Sequence, residues 1–232
     1  MLSGYLEPSG GSVHVGGRDL AAEPHRIQAE LGYLPENLPV YPEMTVADYL
    51  EYAATLKGIP AANRYPELRE ALAATELASR ALSPIGKLSR GLRQRVGVAQ
   101  AIVHNPKVLS LDEPTNGLDP SQIQHMRALI RDLARRATVL VSTHILQEVT
   151  AICERVIIIN KGRVVADDGA FNGQIGHRVR GLGAGQVHRP IEVHPDRGRH
   201  RHAVGQVVRV VVRRAVGLSR PAGPRSGHCC GQ

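Results

Sequence analysis

The 232 residues contain no tryptophan, a single phenylalanine and six tyrosines. No aromatic residue interleaves the arginines of residues 173–232, so base stacking lends no support to nucleic-acid binding there. Only three cysteines occur, Cys153 alone and Cys229 beside Cys230. They make no disulfide framework, so a cytoplasmic protein is expected. No apolar run reaches the roughly 18 residues needed to cross a bilayer. Met1 to Gly4 offers neither the basic nor the apolar region of a signal peptide. Lysine is absent after Lys161. Residues 173–232 hold eleven Arg and two acids (Glu192, Asp196), a net of +9, while the rest holds 18 basic and 19 acidic residues. The body therefore shows no electrostatic footprint for nucleic acid, and all the basicity is in the last quarter.

What is there is organised around Val108-Leu-Ser-Leu-Asp-Glu-Pro-Thr-Asn-Gly-Leu-Asp-Pro120. The run Val108 to Leu111 suits a strand buried on both faces of a parallel sheet. Asp112 and Glu113 then fall at its carboxyl end, where open α/β sheets place their ligands. Two adjacent carboxylates are costly to desolvate unless something compensates, such as a magnesium ion and a water awaiting deprotonation. On these residues alone a solvated acidic turn serves equally well.

Before that stretch, Glu7 to Gly11 is a turn, and Ser12 to Val15 alternates as a strand ended by Gly16-Gly17. Met1 to Gly4 reads as the end of a helix begun earlier. Pro24 opens a short helix, His25 to Glu30, and Leu31 to Leu34 is a strand ending at Pro35-Glu36. Thr45 caps an amphipathic helix to Leu56, with Asp48 three residues on, and Glu67 to Leu77 is another. A small helical region, about 45–87, is thus inserted between strands. Ser89 caps a helix to about Val103, with Gly91 in its first turn. A free hydroxyl and a Gly amide at a helix N-terminus suit a phosphate, although a capped surface helix with solvated Arg residues has the same sequence. Downstream come a long helix, Ser121 to Arg136, a buried strand, Thr138 to Val141, and Ser142-Thr-His144 at its carboxyl end. A helix from Ile145 to Cys153 and a hairpin, Val156 to Asn160 with Arg163 to Ala166, close the body.

Beyond about Gly169 the pattern changes. Val207 to Val212 has the composition of a strand with no nearby partner in sequence. The segment 173–232 reads as a flexible, disordered basic tail or as the product of a frame that is not the coding one. His200, His202, Cys229 and Cys230 fit no metal-ligand spacing.

Four pieces stand in one order: Pro35-Glu36 after a strand, Leu88-Ser-Arg-Gly91 opening a helix, Leu111-Asp-Glu-Pro-Thr-Asn-Gly-Leu-Asp119, and Ser142-Thr-His144. Over about residues 1–168 the chain resembles the ATP-binding subunits of ABC transporters. Gly32-Tyr-Leu-Pro-Glu-Asn37 and Leu88 to Arg95 resemble the bacterial drug-, polysaccharide- and gliding-motility-type (ABC-2) exporters in particular. The resemblance implies an α/β fold, a P-loop NTPase-like parallel sheet with a helical subdomain. It implies ATP and Mg2+ as cofactors, with Asp112 and Glu36 at the metal and Glu113 polarising the attacking water. His144 is the switch at the γ-phosphate. Ser89, Arg90 and Gly91 grip ATP on the partner subunit, and Asp119 lies in the loop linking the two sites. The implied partners are a second ATP-binding subunit, head to tail, and a transmembrane permease that holds the chain at the inner face of the cell membrane. No specific nucleic acid is expected. These roles suit phosphoryl transfer, which needs charge neutralisation and an oriented water.

The sequence also departs from the family. G-x-x-x-x-G-K-[ST] occurs nowhere in it, and Gly11 to Arg18 has glycines but no Lys followed by Ser or Thr. In the family that loop, and a central strand before it, precede the segment that here begins at Met1. Arg90 and Leu92 replace the usual Gly and Gln, and Ser110 puts a hydroxyl inside the strand. The leading expectation is an incomplete copy of a transporter ATPase, 1–172, lacking the P-loop strand and inactive alone, followed by an unrelated tail, 173–232. The alternatives are a non-catalytic partner that completes an intact subunit's ATP site, and a nucleic-acid-binding protein acting through its basic tail.

Overall fold

The computed structural model describes residues 4, 8, 10–160, 163–168 and 207–212. A two-stranded hairpin comes first, β1 (His14–Val15) and β2 (Arg18–Asp19), turned by Gly16 and Gly17, both at positive φ. The main sheet holds β3 (Leu31–Leu34), β4 (Val108–Asp112), β5 (Thr138–Thr143), β6 (Arg155–Asn160), β7 (Arg163–Asp168) and β8 (Val207–Val212). Their spatial order is β3-β4-β5-β8-β6-β7. The β3-β4 and β4-β5 pairs are parallel, as expected for an α/β sheet; β8 is antiparallel to both β5 and β6, and β7 to β6.

The helices are α1 (Pro24–Glu30), α2 (Val46–Leu56), α3 (Ala61–Ala74), α4 (Arg90–Ile102), α5 (Pro120–Leu133) and α6 (Leu146–Ile152). Four of these six starts have a local cause. Pro24 and Pro120 occupy first-turn positions, where a missing N–H costs nothing. Thr45 accepts the Asp48 amide at 3.2 Å, and Ser89 accepts the Leu92 amide at 3.3 Å. The expected Glu67 start of α3 is wrong by six residues: the helix begins at Ala61 and runs through Pro66. Pro66 is the sixth helical residue, and the helix loses there the one bond its missing N–H would have given to the Ala62 carbonyl.

The core has a sheet part and a helical part. Leu34, Leu109, Leu111, Val139 and Val141 meet Val98 and Ala101 of α4 and Met126, Ile130 and Leu133 of α5. Val46, Tyr49, Leu50, Leu77 and Ile85 of the inserted helical region pack on Leu88, Val96 and Ala99. So α4 is buried from two sides and ties the inserted region to the sheet.

One expectation is corrected outright. Val207–Val212 does have partners: it pairs with Val139–Thr143 on one side and Arg155–Ile159 on the other. The other expectations for the tail, and those for Met1 to Ser3, fall outside the described residues. Among the described residues no helix is long and apolar enough to cross a membrane.

Candidate functional site

β4 and β5 run parallel and in register, Leu111 beside Val141 and Asp112 beside Ser142, so both deliver their last residues to one edge. There Asp112 lies between two hydroxyls. The Tyr33 phenol donates to Oδ2 at 2.7 Å, and the Ser142 hydroxyl donates to Oδ1 in a short bond. Glu113 follows in the left-handed region, at φ 46°, a costly conformation for a side chain with a Cβ. Its amide, donated to the Ser142 carbonyl at 2.9 Å, holds it there. The bend turns its carboxylate across to the end of β5. Oε1 accepts the His144 amide at 3.0 Å and lies 2.8 Å from the His144 Nδ1, while Oε2 accepts the Thr143 hydroxyl at 3.2 Å.

The Glu113 side chain is largely buried, at 16 % exposure, whereas His144 is 62 % exposed and faces outward. Neither Asp112 nor Glu113 pairs with a Lys or Arg among the described residues, and the hydroxyls and imidazole do the compensating instead. Arranged so, the edge presents one half-buried carboxylate set between hydroxyls and a second tied to an exposed imidazole. That combination can bind a cation and accept or relay a proton.

The second cluster is the turn opening α4. Ser89 and Arg90 are exposed and Gly91 is buried. The Gln122 carboxamide packs directly on Gly91: a Cβ there would stand 2.5 Å from it and displace the end of that side chain. The Arg90 guanidinium likewise lies on Gly117, whose φ of 70° is the left-handed conformation that favours glycine. Two residues on, Asp119 accepts the Gln122 amide at 2.9 Å and caps α5. The structure therefore joins Ser89-Arg90-Gly91 to the loop from Gly117 to Gln122, and Asp112, Glu113 and His144 to one another. Glu36 lies exposed in the loop after β3.

Among the described residues no three His, Cys, Asp or Glu side chains gather at a metal-sized site. The donor set, one carboxylate with two hydroxyls at hand, fits a Mg2+ whose other ligands are phosphates and waters, the usual state of that ion. Sequence reasoning missed Tyr33 at this site. The parallel register of Tyr33 with Ser110 puts the phenol one diagonal step from Asp112, a register the sheet sets and the sequence alone does not mark.

Residues 1–116 match the ABC transporter family, a span that ends within the Asp112–Asp119 loop. The ABC transporter ATP-binding protein YdbJ of Bacillus subtilis is 38% identical over 169 residues, 72% of this chain and 54% of that protein. The bacitracin transport ATP-binding protein BcrA of Bacillus licheniformis is 35% identical over 169 residues, again 72% of this chain and 54% of its own length. A solved structure of an ATP-binding subunit of an ABC transporter superposes with a TM-score of 0.64 at 31% identity, covering 74% of this chain and 72% of that one. The chain spans about half the length of the curated relatives it matches. The motif order, the parallel strands carrying Asp112 and His144, and these matches agree: the chain belongs to the ATP-binding proteins of ABC transporters.

Proposed function

We propose that the chain supplies part of the ATP-hydrolysing machinery of an export-type ABC transporter. The observation that carries this reading is the meeting of Asp112, Glu113 and His144 at the shared carboxyl edge of β4 and β5. Asp112, with Glu36, serves the magnesium ion. Glu113 orients the attacking water, and His144, held on Glu113, meets the γ-phosphate. Magnesium itself neutralises phosphate charge when bound. Ser89, Arg90 and Gly91 present the N-terminus of α4 to ATP on a second ATP-binding subunit placed head to tail, and the Asp119 loop joins the two sites. The helical region 45–87 meets a transmembrane permease, which keeps residues 1–172 at the inner face of the membrane. The Nod factor export ATP-binding protein I of Ralstonia nicotianae, 33% identical over 168 residues, supports the export reading.

The 232 residues contain no P-loop pattern, so the amides and Lys that cradle phosphates are not supplied by this sequence. These 232 residues on their own are therefore expected to hydrolyse no ATP. The exposed Ser89 turn favours a second reading as well: a non-catalytic partner completing the site of an intact subunit. One experiment addresses that geometry. With MgATP and an intact ATP-binding subunit of an export-type relative, the chain is expected to co-purify and Ser89→Arg to abolish the pairing. No co-purification, or pairing indifferent to Ser89→Arg, overturns the head-to-tail assignment.

A further inference from the structure

The sheet is closed by a strand from far along the chain. Residues 169–206 separate β7 from β8, and β8 lies between β5 and β6. Because β8 is antiparallel to both, β5 and β6 run in the same direction with one strand-width between them. Among the described residues no other strand joins the β3-β4-β5 half to the β6-β7 hairpin. Without an occupant, two facing edges would each present unpaired backbone N–H and C=O groups, a template for pairing with any free strand.

We propose that the gap between β5 and β6 is a strand-acceptor site, and that Val207–Val212 fills it in cis as an exchangeable closing strand. The segment has the composition for it: five Val and one Arg, β-branched at nearly every position. Backbone pairing on both sides gives such a strand its hold whatever its sequence, as in recognition by β-strand addition. The tether favours the chain's own segment, since closure cost grows only slowly with loop length and a tethered strand outcompetes a free one. The direction of the occupant matters for the site. Val208 pairs with Thr143, so β8 brings its N-terminal end to the edge that carries Asp112, Glu113 and His144. A strand entering the other way would bring its carboxyl end, and the loop after it, to the same place.

The test uses the full chain with Cys229→Ser and Cys230→Ser. Cys153 can stay, being buried with its thiol pushed up to about 12 by burial and by Glu148. Leu140 opposes Val211, and Ile157 opposes Arg209. Directly opposed antiparallel residues have Cα atoms about 4.5–5.5 Å apart, within disulfide reach. Leu140→Cys with Val211→Cys, and separately Ile157→Cys with Arg209→Cys, should each oxidise to a disulfide within one chain. The out-of-register pair Leu140→Cys with Val208→Cys should not. A synthetic peptide of residues 206–213 carrying Cys at position 211 should be captured by the Leu140→Cys chain whose own closing strand is disabled by Val210→Pro, and the same peptide with Val210→Pro should not. No in-register disulfide, disulfides formed only between two chains, or no peptide capture would each overturn the proposal.

Discussion

At the scale of single residues, the site depends on groups that hold the carboxylates. The Tyr33 phenol is a hydrogen bond to a charged group, a contact worth about 1.5–3 kcal/mol. Tyr33→Phe should therefore lower the unfolding free energy by about 2 kcal/mol in urea melts, with little change of fold by circular dichroism. A second prediction concerns His104, whose Nε2 lies 3.2 Å from the Leu31 carbonyl and whose Nδ1 is buried without a partner. Burial, with nearby Lys57 adding to it, pushes this imidazole down to about 4. The unfolded chain then binds the proton first, so stability falls as pH drops from about 6.5 towards 4 and is unaffected by this group above that window. His104→Gln should flatten that part of the stability–pH profile relative to the parent chain. At this scale motif spacing pointed to Asp112, Glu113 and His144, which the fold gathers at one sheet edge. Sequence reasoning missed Tyr33, because a cross-strand hydrogen bond depends on register, and register is set by the whole sheet.

At the scale of elements, α5 and α6 are locked by one bidentate pair. Arg127 donates through Nε and Nη2 to Glu148 at 3.0 and 2.8 Å, with the Glu148 side chain only 4 % exposed. Removing the arginine strands a buried charge, so Arg127→Ala should cost about 3–5 kcal/mol. Arg127→Ala/Glu148→Leu should recover most of it, measured by thermal unfolding. The helix caps are smaller and separable: Asp119→Ala loses the bond to the Gln122 amide and should cost about 1 kcal/mol. Helix starts were legible where Pro24, Thr45 and Ser89 are local signals. The start of α3 was not, because Pro66 suggests a boundary and the helix instead runs through it at the loss of one backbone bond.

At the scale of the whole molecule, the parallel half of the sheet was legible from its apolar runs, and β8 was not. Val207–Val212 is a strand by composition, but its partners stand some fifty residues or more upstream, and pairing over such separations leaves no local mark. The same scale holds the central proposal, that the Asp112–Glu113–His144 edge serves to orient the attacking water while these 232 residues hold no P-loop pattern to cradle the phosphates. Steady-state hydrolysis of MgATP by the purified chain tests it most directly, with Glu113→Gln as the reference. The account predicts phosphate release from the parent chain at the background rate, equal to that of Glu113→Gln. Hydrolysis at the rate of an ordinary ABC ATPase, abolished by Glu113→Gln, would contradict it.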